Sequence, residues 1–545
     1  MERTTPISYD ILFRGMQDKF QDSDDSGQHV RSIKNFITNG QDASPRPGLN
    51  KVRDLGKPVI DLYVDEGYGS DYDKIYIFTA DELFYIEHNA GGYSTPLSIG
   101  SYATTDRITA GKFTIRGTQL YTSVGAVTTD SAYVEDASGA MPIKDYINKL
   151  LRLFSVGVEE YMTIITNTDS IAYTADTVDV AIRSYANPSF TIYNKEDAII
   201  FTAGGNLYST DGNSVKDTYQ DFEAIHIHGG RVFATKEDTN RVFFSNIDAL
   251  HFPENNYLLF DDGDGDVLGF ETYIDSTVIM FQHAIYTLRG TSPETFVLDR
   301  RFAENVNIRS HKSWAVKNNT MYFLSDRGLE ALSRPNLRDK PEVRTLSYFL
   351  DDSRFTNANK DSVSAMTIIG NRIIVQMGTY ILVHDANMSE LIGSAWFGEY
   401  EGFRFVAGAE LDGKTYLACL NGVYIFDDTL LSDEDHADIV CEVEGSAVEY
   451  AQRDMRKLYR DVVFYQTWNA PGGEMEFTSS GRDIPEETET RTDVDDGLTD
   501  EEQFYCTMES PYLNWKLKMK GDFHLEDIIF SLLPSRKLNA KSHIA

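Results

Sequence analysis

A short apolar strand, a tight turn and a second strand carrying an aromatic residue recur along this chain. That recurrence limits the possible folds more than any other feature. One unit reads Ile75-Tyr76-Ile77-Phe78, a turn at Ala80-Asp81-Glu82, then Leu83-Phe84-Tyr85-Ile86. Comparable units begin near Ala198, Thr277, Thr320, Arg372 and Lys414, with weaker copies near Lys112, Tyr161 and Val232. Their starts lie 34 to 52 residues apart. A four-stranded propeller blade of roughly 40–50 residues fits this period, and such a blade cannot bury both faces without neighbours. The expected fold is all-β: an irregular β-propeller of seven or eight blades over residues 56–430.

The 31 Tyr and 31 Phe, with abundant Val, Ile and Thr, favour sheet in the same way. One segment reads as a helix, Met141–Val156. Pro142 would open it, and Ile143, Ile147, Leu150, Leu151 and Phe154 would form its apolar face.

The ends of the chain differ from the middle. Residues 1–55 hold few apolar runs and two breaker-rich stretches, and read as an extended arm lying across a neighbouring surface. After the acidic linker Leu431–Asp438, strand-like runs suggest a small C-terminal β-sandwich over 431–545. Asp483–Glu502 packs ten carboxylates and one arginine into twenty residues, and reads as a solvated acidic loop interrupting that sandwich.

Bulk properties exclude several classes. No run of 18 apolar residues is present, so no membrane span is expected. The start, MERTTPISYD, lacks the apolar region of a secretory signal. Cys419, Cys441 and Cys506 are odd in number and widely separated, which suits reduced thiols in a protein made in the cytosol. A net charge of −35 argues against gripping nucleic acid through its phosphates. The acidic excess reads either as solvated surface or as a wall that repels DNA sliding past it.

Lookalikes of chemical sites have plainer structural readings. Asp262, Asp264 and Asp266 alternate with glycine and could converge on Ca²⁺, but an EF-hand would need Gly at Val267 and Glu at Tyr273. A Gly-rich turn bonding its own backbone is the expectation. His226 and His228 share one strand face without a third ligand at a recognisable spacing. Ser325-Asp326-Arg327-Gly328 has Asp one position too early for the sialidase Asp-box and lacks its aromatic residue. No catalytic, cofactor-binding or metal-binding residue is therefore nominated, and the chain is not expected to be an enzyme.

The segment Asn240–Ser333 carries, in order, NRVFFSN, HFPENNYLLFDDGDGDVLGF, VIMFQHAIYTLRGTSPETFVLDR and RSHKSWAVKNNTMYFLSDRGLEALS. This order resembles the propeller-cored tail nozzle or hub proteins of tailed bacteriophages, including the packaged-DNA-stabilisation type of short-tailed phages. FRGM (13–16), SIKNF (32–36) and RPGL (46–49) resemble the opening of that group, and HLEDIIFSLLPSR (524–536) its closing sandwich. Phe244 stands where the group often has Trp. The resemblance implies a structural virion protein located in the tail and forming a ring, expected to be a homohexamer, below the portal–adaptor proteins. It would act as a conduit that holds packaged DNA until ejection, without sequence-specific DNA binding. Two alternatives remain: a tail-tip propeller that binds a host receptor or glycan, and a glycan-cleaving propeller enzyme.

Overall fold

The computed structural model describes residues 5–8, 16, 30–38, 42–66, 73–89, 92–105, 107–126, 133–136, 149–155, 158–167, 171–174, 189–237, 239–274, 276–304, 306–308, 310–333, 342–350, 352–392, 395–420, 422–427, 429–433, 438–445, 457–469, 472–481, 484–494, 499–510 and 513–534. The fold is all-β with the strand topology of propeller blades, and the chain divides into two compact units: residues 60–311, and residues 1–59 with 312–545.

The 60–311 unit holds four antiparallel sheets in sequence order, each containing a run of four blade strands. The hairpins near Ile75, Ala198, Val232 and Thr277 each supply a sheet's second and third strands. Asp73–Thr79 and Glu82–Asn89 lie between Val59–Asp65 and Leu97–Ser101. The unit near Ala198 becomes Ser189–Ala203 and Asn206–Thr210, flanked by Ile108–Ala126 and Val215–Asp221. Gly204 and Gly205, at φ 54° and 76°, form the two-residue turn between them, a conformation disfavoured for residues with a Cβ. Ala224–His228 and Val267–Tyr273 begin the third and fourth sheets.

Consecutive sheets share cores. Phe78 and Leu83 of the first pack with Ile199 and Phe201 of the second. Ile200 and Leu207 pack with Val232 and Ala234 of the third, and Phe233 and Val242 with Ile279 and Phe281 of the fourth. Both faces of the central strands are thus buried, so those strands read as continuous apolar runs.

The weak copies near Lys112 and Tyr161 do not begin sheets of their own. Lys112 lies in the long first strand of the second sheet. Tyr161 lies in an insertion, where Tyr133–Asp136, Leu150–Ser155, Val158–Asn167 and Ile171–Thr174 join the far halves of Ile108–Ala126 and Ser189–Ala203. These two long strands also pair with each other, so the six strands close on themselves. The helix expected over Met141–Val156 is corrected at its described end: Leu150–Ser155 is a strand, and 141–148 lies outside the described residues. Leu151 and Leu153 are buried on one side while Arg152 is half-buried, so period two prevails over the helical spacing.

The other unit contains the last three propeller sheets. Trp314–Lys317 begins the fifth and Val363–Ile369 the sixth. The seventh takes three strands from Phe405–Leu411, Lys414–Cys419 and Gly422–Asp427 and its fourth from Gly48–Asp54. The described residues thus hold seven propeller sheets, and the arm gives up its last strand to one of them.

Residues 440–534 build a sandwich of two packed layers, the first of which continues the sixth sheet through Val30–Lys34. One runs Val440–Gly445, Leu513–Lys520, Gly473–Gly481 and Ile484–Val494. The other is centred on Phe523–Pro534 and Lys457–Trp468, with Thr499–Ser510 at its edge. The acidic loop expected at 483–502 is corrected: Ile484–Val494 and the start of Thr499–Ser510 are strands. Threonines at 488, 490 and 492 alternate with charged residues, and β-branched residues at every second position favour a strand despite the charge. Thr488 bonds its cross-strand partner Thr478 at 3.1 Å.

Candidate functional site: a buried arginine junction

The expected arm is woven into its own unit. Val30–Lys34 pairs antiparallel with Val440–Gly445 of the sandwich and in parallel with Trp396–Tyr400 of the sixth sheet. Phe36–Thr38 and Ala43–Pro45 form a hairpin whose Ala43 pairs with Leu525. Val30, Ile33, Phe36 and Leu49 are buried in one core with Ile374 and Val383 of the sixth sheet, Leu417 of the seventh and Trp515 and Phe530 of the sandwich.

At the centre stands Arg46, 1% exposed. Its five N–H groups make five hydrogen bonds. Nε donates to Asn35 Oδ1 (3.0 Å). One terminal nitrogen donates to the Pro47 carbonyl (2.9 Å) and Asp433 Oδ1 (2.9 Å). The other donates to the Glu401 carbonyl (2.7 Å) and Asp433 Oδ2 (2.6 Å). The guanidinium also faces the rings of Phe403 at 4.9 Å and Tyr400 at 5.7 Å. This is the fork geometry that lysine cannot reproduce. A buried ion pair is tolerable only when so fully bonded, because desolvation otherwise cancels its attraction.

Asn35, at φ 59°, is the second hub. Its side chain accepts from Arg46 and from the Glu401 N–H (2.8 Å), and donates to the Val440 carbonyl (2.9 Å). Its own carbonyl accepts from Arg46 N–H and from Cys441 Sγ. Burial pushes the Cys441 thiol pKa up, so it stays protonated. Gly48 explains the rest of the RPGL stretch: a Cβ there would lie 2.4 Å from the Ser432 carbonyl and 2.7 Å from Leu430 Cβ.

The sandwich sheet beside this junction carries an ion-pair ladder on the face opposite its core. Lys516 pairs with Glu442 (2.7 Å), Lys518 with Glu476 (2.7 Å), and Lys520 with Asp438 (2.8 Å). These lysines alternate with buried Trp515, Leu517 and Met519. Hydrogen bonding to Glu476 raises the Lys518 pKa. At the far edge Arg491 donates to the Gln503 carbonyl (2.7 Å), pairs with Glu489 (3.0 Å) and covers the Phe504 ring (4.9 Å). It thereby links the edge strands of the two sandwich sheets.

The lookalikes fall elsewhere. Asp262–Asp264 is a 3-10 turn, and Asp261 caps it by accepting from Gly263 N–H (3.1 Å). Asp264 is buried and accepts from the Tyr286 hydroxyl, while Asp266 is exposed and its carbonyl accepts from Gln282 N–H. The Asp262 side chain lies outside the described residues. His226 stacks on Phe270 (5.9 Å), and His228 lies against Phe233 (6.4 Å). Burial, reinforced by His228, lowers the His226 pKa to about 4. Ser325-Asp326-Arg327-Gly328 is the fifth sheet's hairpin turn, where Asp326's carbonyl accepts from Lys360 Nζ and Arg327 pairs with buried Glu330. Cys419 and Cys441 are buried. No helix among the described residues is long and apolar enough to cross a membrane.

Sequence reasoning missed Arg46 and Asp433 as partners. RPGL was the available signal, since an arginine and a glycine flanking proline in a polar arm suggest a fixed turn, but nothing local names a partner 387 positions away.

No protein-family model and no curated protein matches the chain. Among solved structures it is similar to the N-terminal domain of Nup159, at 14% identity over 44% of this chain and 74% of that one, with a TM-score of 0.31. It is similar to the WD40 domain of Neurospora crassa Pan2 at 9% identity, over 71% of this chain and 96% of that one, with a TM-score of 0.31. Kluyveromyces lactis Hsv2 follows at 10% identity, over 63% and 98%, with a TM-score of 0.27. At these scores the likenesses add nothing to the strand topology described above.

Proposed function

We propose that this chain is a structural protein of a tailed-phage tail, a nozzle or hub whose copies form a ring that conducts and retains packaged DNA. The observation that carries the reading is where the resembling motifs fall. The SIKNF strands, RPGL and the strand Phe523–Pro534 all belong to one packed body, joined through Asn35 and Arg46 or through the core around Phe36 and Phe523, and Met16 donates its N–H to the Phe397 carbonyl in the same unit. The resembling motifs from the two ends of the chain thus brace it against itself, a role suited to a wall under load.

The charge distribution supports the same reading. The sandwich lysines 516, 518 and 520 are held by carboxylates, which leaves them poorly placed to grip phosphate. In a chain of net charge −35, DNA would meet repulsion rather than a binding groove.

Electron microscopy of the purified protein, alone and in particles, tests the proposal. Rings with a central passage are expected, and monomers alone under all conditions would refute it. A second assay is retention of labelled DNA at low salt, where no binding is expected.

A further inference from the structure

We propose that residues 30–38 and 42–54 form an exchangeable strap: a strand ligand that seats non-covalently in a receptor formed by the sixth and seventh sheets and the sandwich, and that a second copy of this chain can supply. The inference does not depend on the proposed function.

Three observations carry it. First, the strap binds as a ligand does. Val30–Lys34 fills the space between Trp396–Tyr400 and Val440–Gly445, and Gly48–Asp54 completes the seventh sheet along Gly422–Asp427. Backbone pairing supplies affinity, and pockets for alternate side chains supply specificity. Second, the strap carries its own anchor. Arg46 enters a site made by Asp433, the Glu401 carbonyl and the rings of Tyr400 and Phe403, and Lys34 pairs at the rim with Glu401 (2.7 Å). Third, the tether is thin. Strap and receptor are continuous in sequence only through residues 60–311, and the exit from the strap runs through Gly56, Lys57 and Pro58, all exposed. Gly56 has φ 65° and open space where a Cβ would stand.

A receptor of this kind recognises its strap by contacts, not by covalent origin. Its own strap wins in isolation because the tether keeps its effective concentration high. Copies held side by side raise the concentration of the neighbour's strap equally, and exchange then links subunits without creating any new interface.

The test uses the full chain with a site-specific protease sequence inserted between Gly56 and Lys57. After cleavage of the folded protein, residues 1–56 are expected to co-elute with the remainder on a native column. Mixing nicked protein with its nicked, uniformly ¹⁵N-labelled counterpart is expected to give hybrid complexes by native mass spectrometry. Arg46→Met should speed hybrid formation by about tenfold or more. If that variant does not fold, Lys34→Gln at the rim should speed it by about twofold to fivefold. Immediate loss of the wild-type strap, or retention with no hybrids, would overturn the proposal. So would an exchange rate unchanged by the variant.

Discussion

Arg46 and Asp433 meet in a two-bond ion pair, at 2.9 and 2.6 Å, across 387 positions of sequence, with the arginine side chain wholly buried. Removing either charge strands the other. Arg46→Met or Asp433→Asn should each cost about 3–5 kcal/mol in urea unfolding, and Arg46→Lys should recover little because the fork is lost. The double variant Arg46→Met/Asp433→Asn should be less destabilised than the sum of the singles. Additive losses would show that the two residues act independently.

Gln466 has the opposite character. It is fully buried in the sandwich, and neither side-chain amide atom has a hydrogen-bond partner among the described residues. Gln466→Met keeps the volume and removes two unmet polar atoms, so it should stabilise by about 1–2 kcal/mol. Thermal melting measures this, and a lowered midpoint would contradict it.

His384 sets an acid limit. It is 2% exposed, its Nδ1 lies 3.0 Å from the Trp396 carbonyl, and burial lowers its pKa from 6.5 to about 4. As pH falls below about 6.5 the unfolded chain takes up this proton first, so stability is full above that pH and declines towards pH 4. The slope attributable to this residue is about 1.4 kcal/mol per pH unit. Melting curves of wild type and His384→Gln between pH 7 and 4.5 should converge as the pH drops, and parallel curves would remove His384 from the account.

Arg491 should hold the sandwich edges together. Arg491→Gln removes the Glu489 ion pair, the bond to the Gln503 carbonyl and the cover over Phe504. Limited proteolysis is expected to cut within 484–502 several-fold faster in the variant, with little change in global melting. Equal cleavage rates would mean that the edges stand without it.

What the sequence revealed depended on the range of the interactions concerned. The hairpins at Ile75, Thr277, Thr320, Arg372 and Lys414 were legible because their strands are buried on both faces and their turns are local. Leu150–Ser155 was misread because Leu150, Leu151 and Phe154 satisfy a helical face as well as a strand. The alternating threonines of Ile484–Val494 were masked by the charge around them. The junction was illegible for a different reason: Asn35, Arg46 and Gly48 find their partners at residues 399–441, and no local pattern encodes such a distance.

The borrowed strand also orders events in time. Gly48–Asp54 leaves the ribosome early, but its partner Gly422–Asp427 is made hundreds of residues later, and Leu525, which Ala43 pairs with, later still. A chain that stops before Gly422 cannot close its seventh sheet, and one that stops before Leu525 cannot seat Ala43 in the sandwich. A chain that stops before Gly422 leaves Gly48–Asp54 as an unpaired strand edge, a feature by which quality control can recognise it.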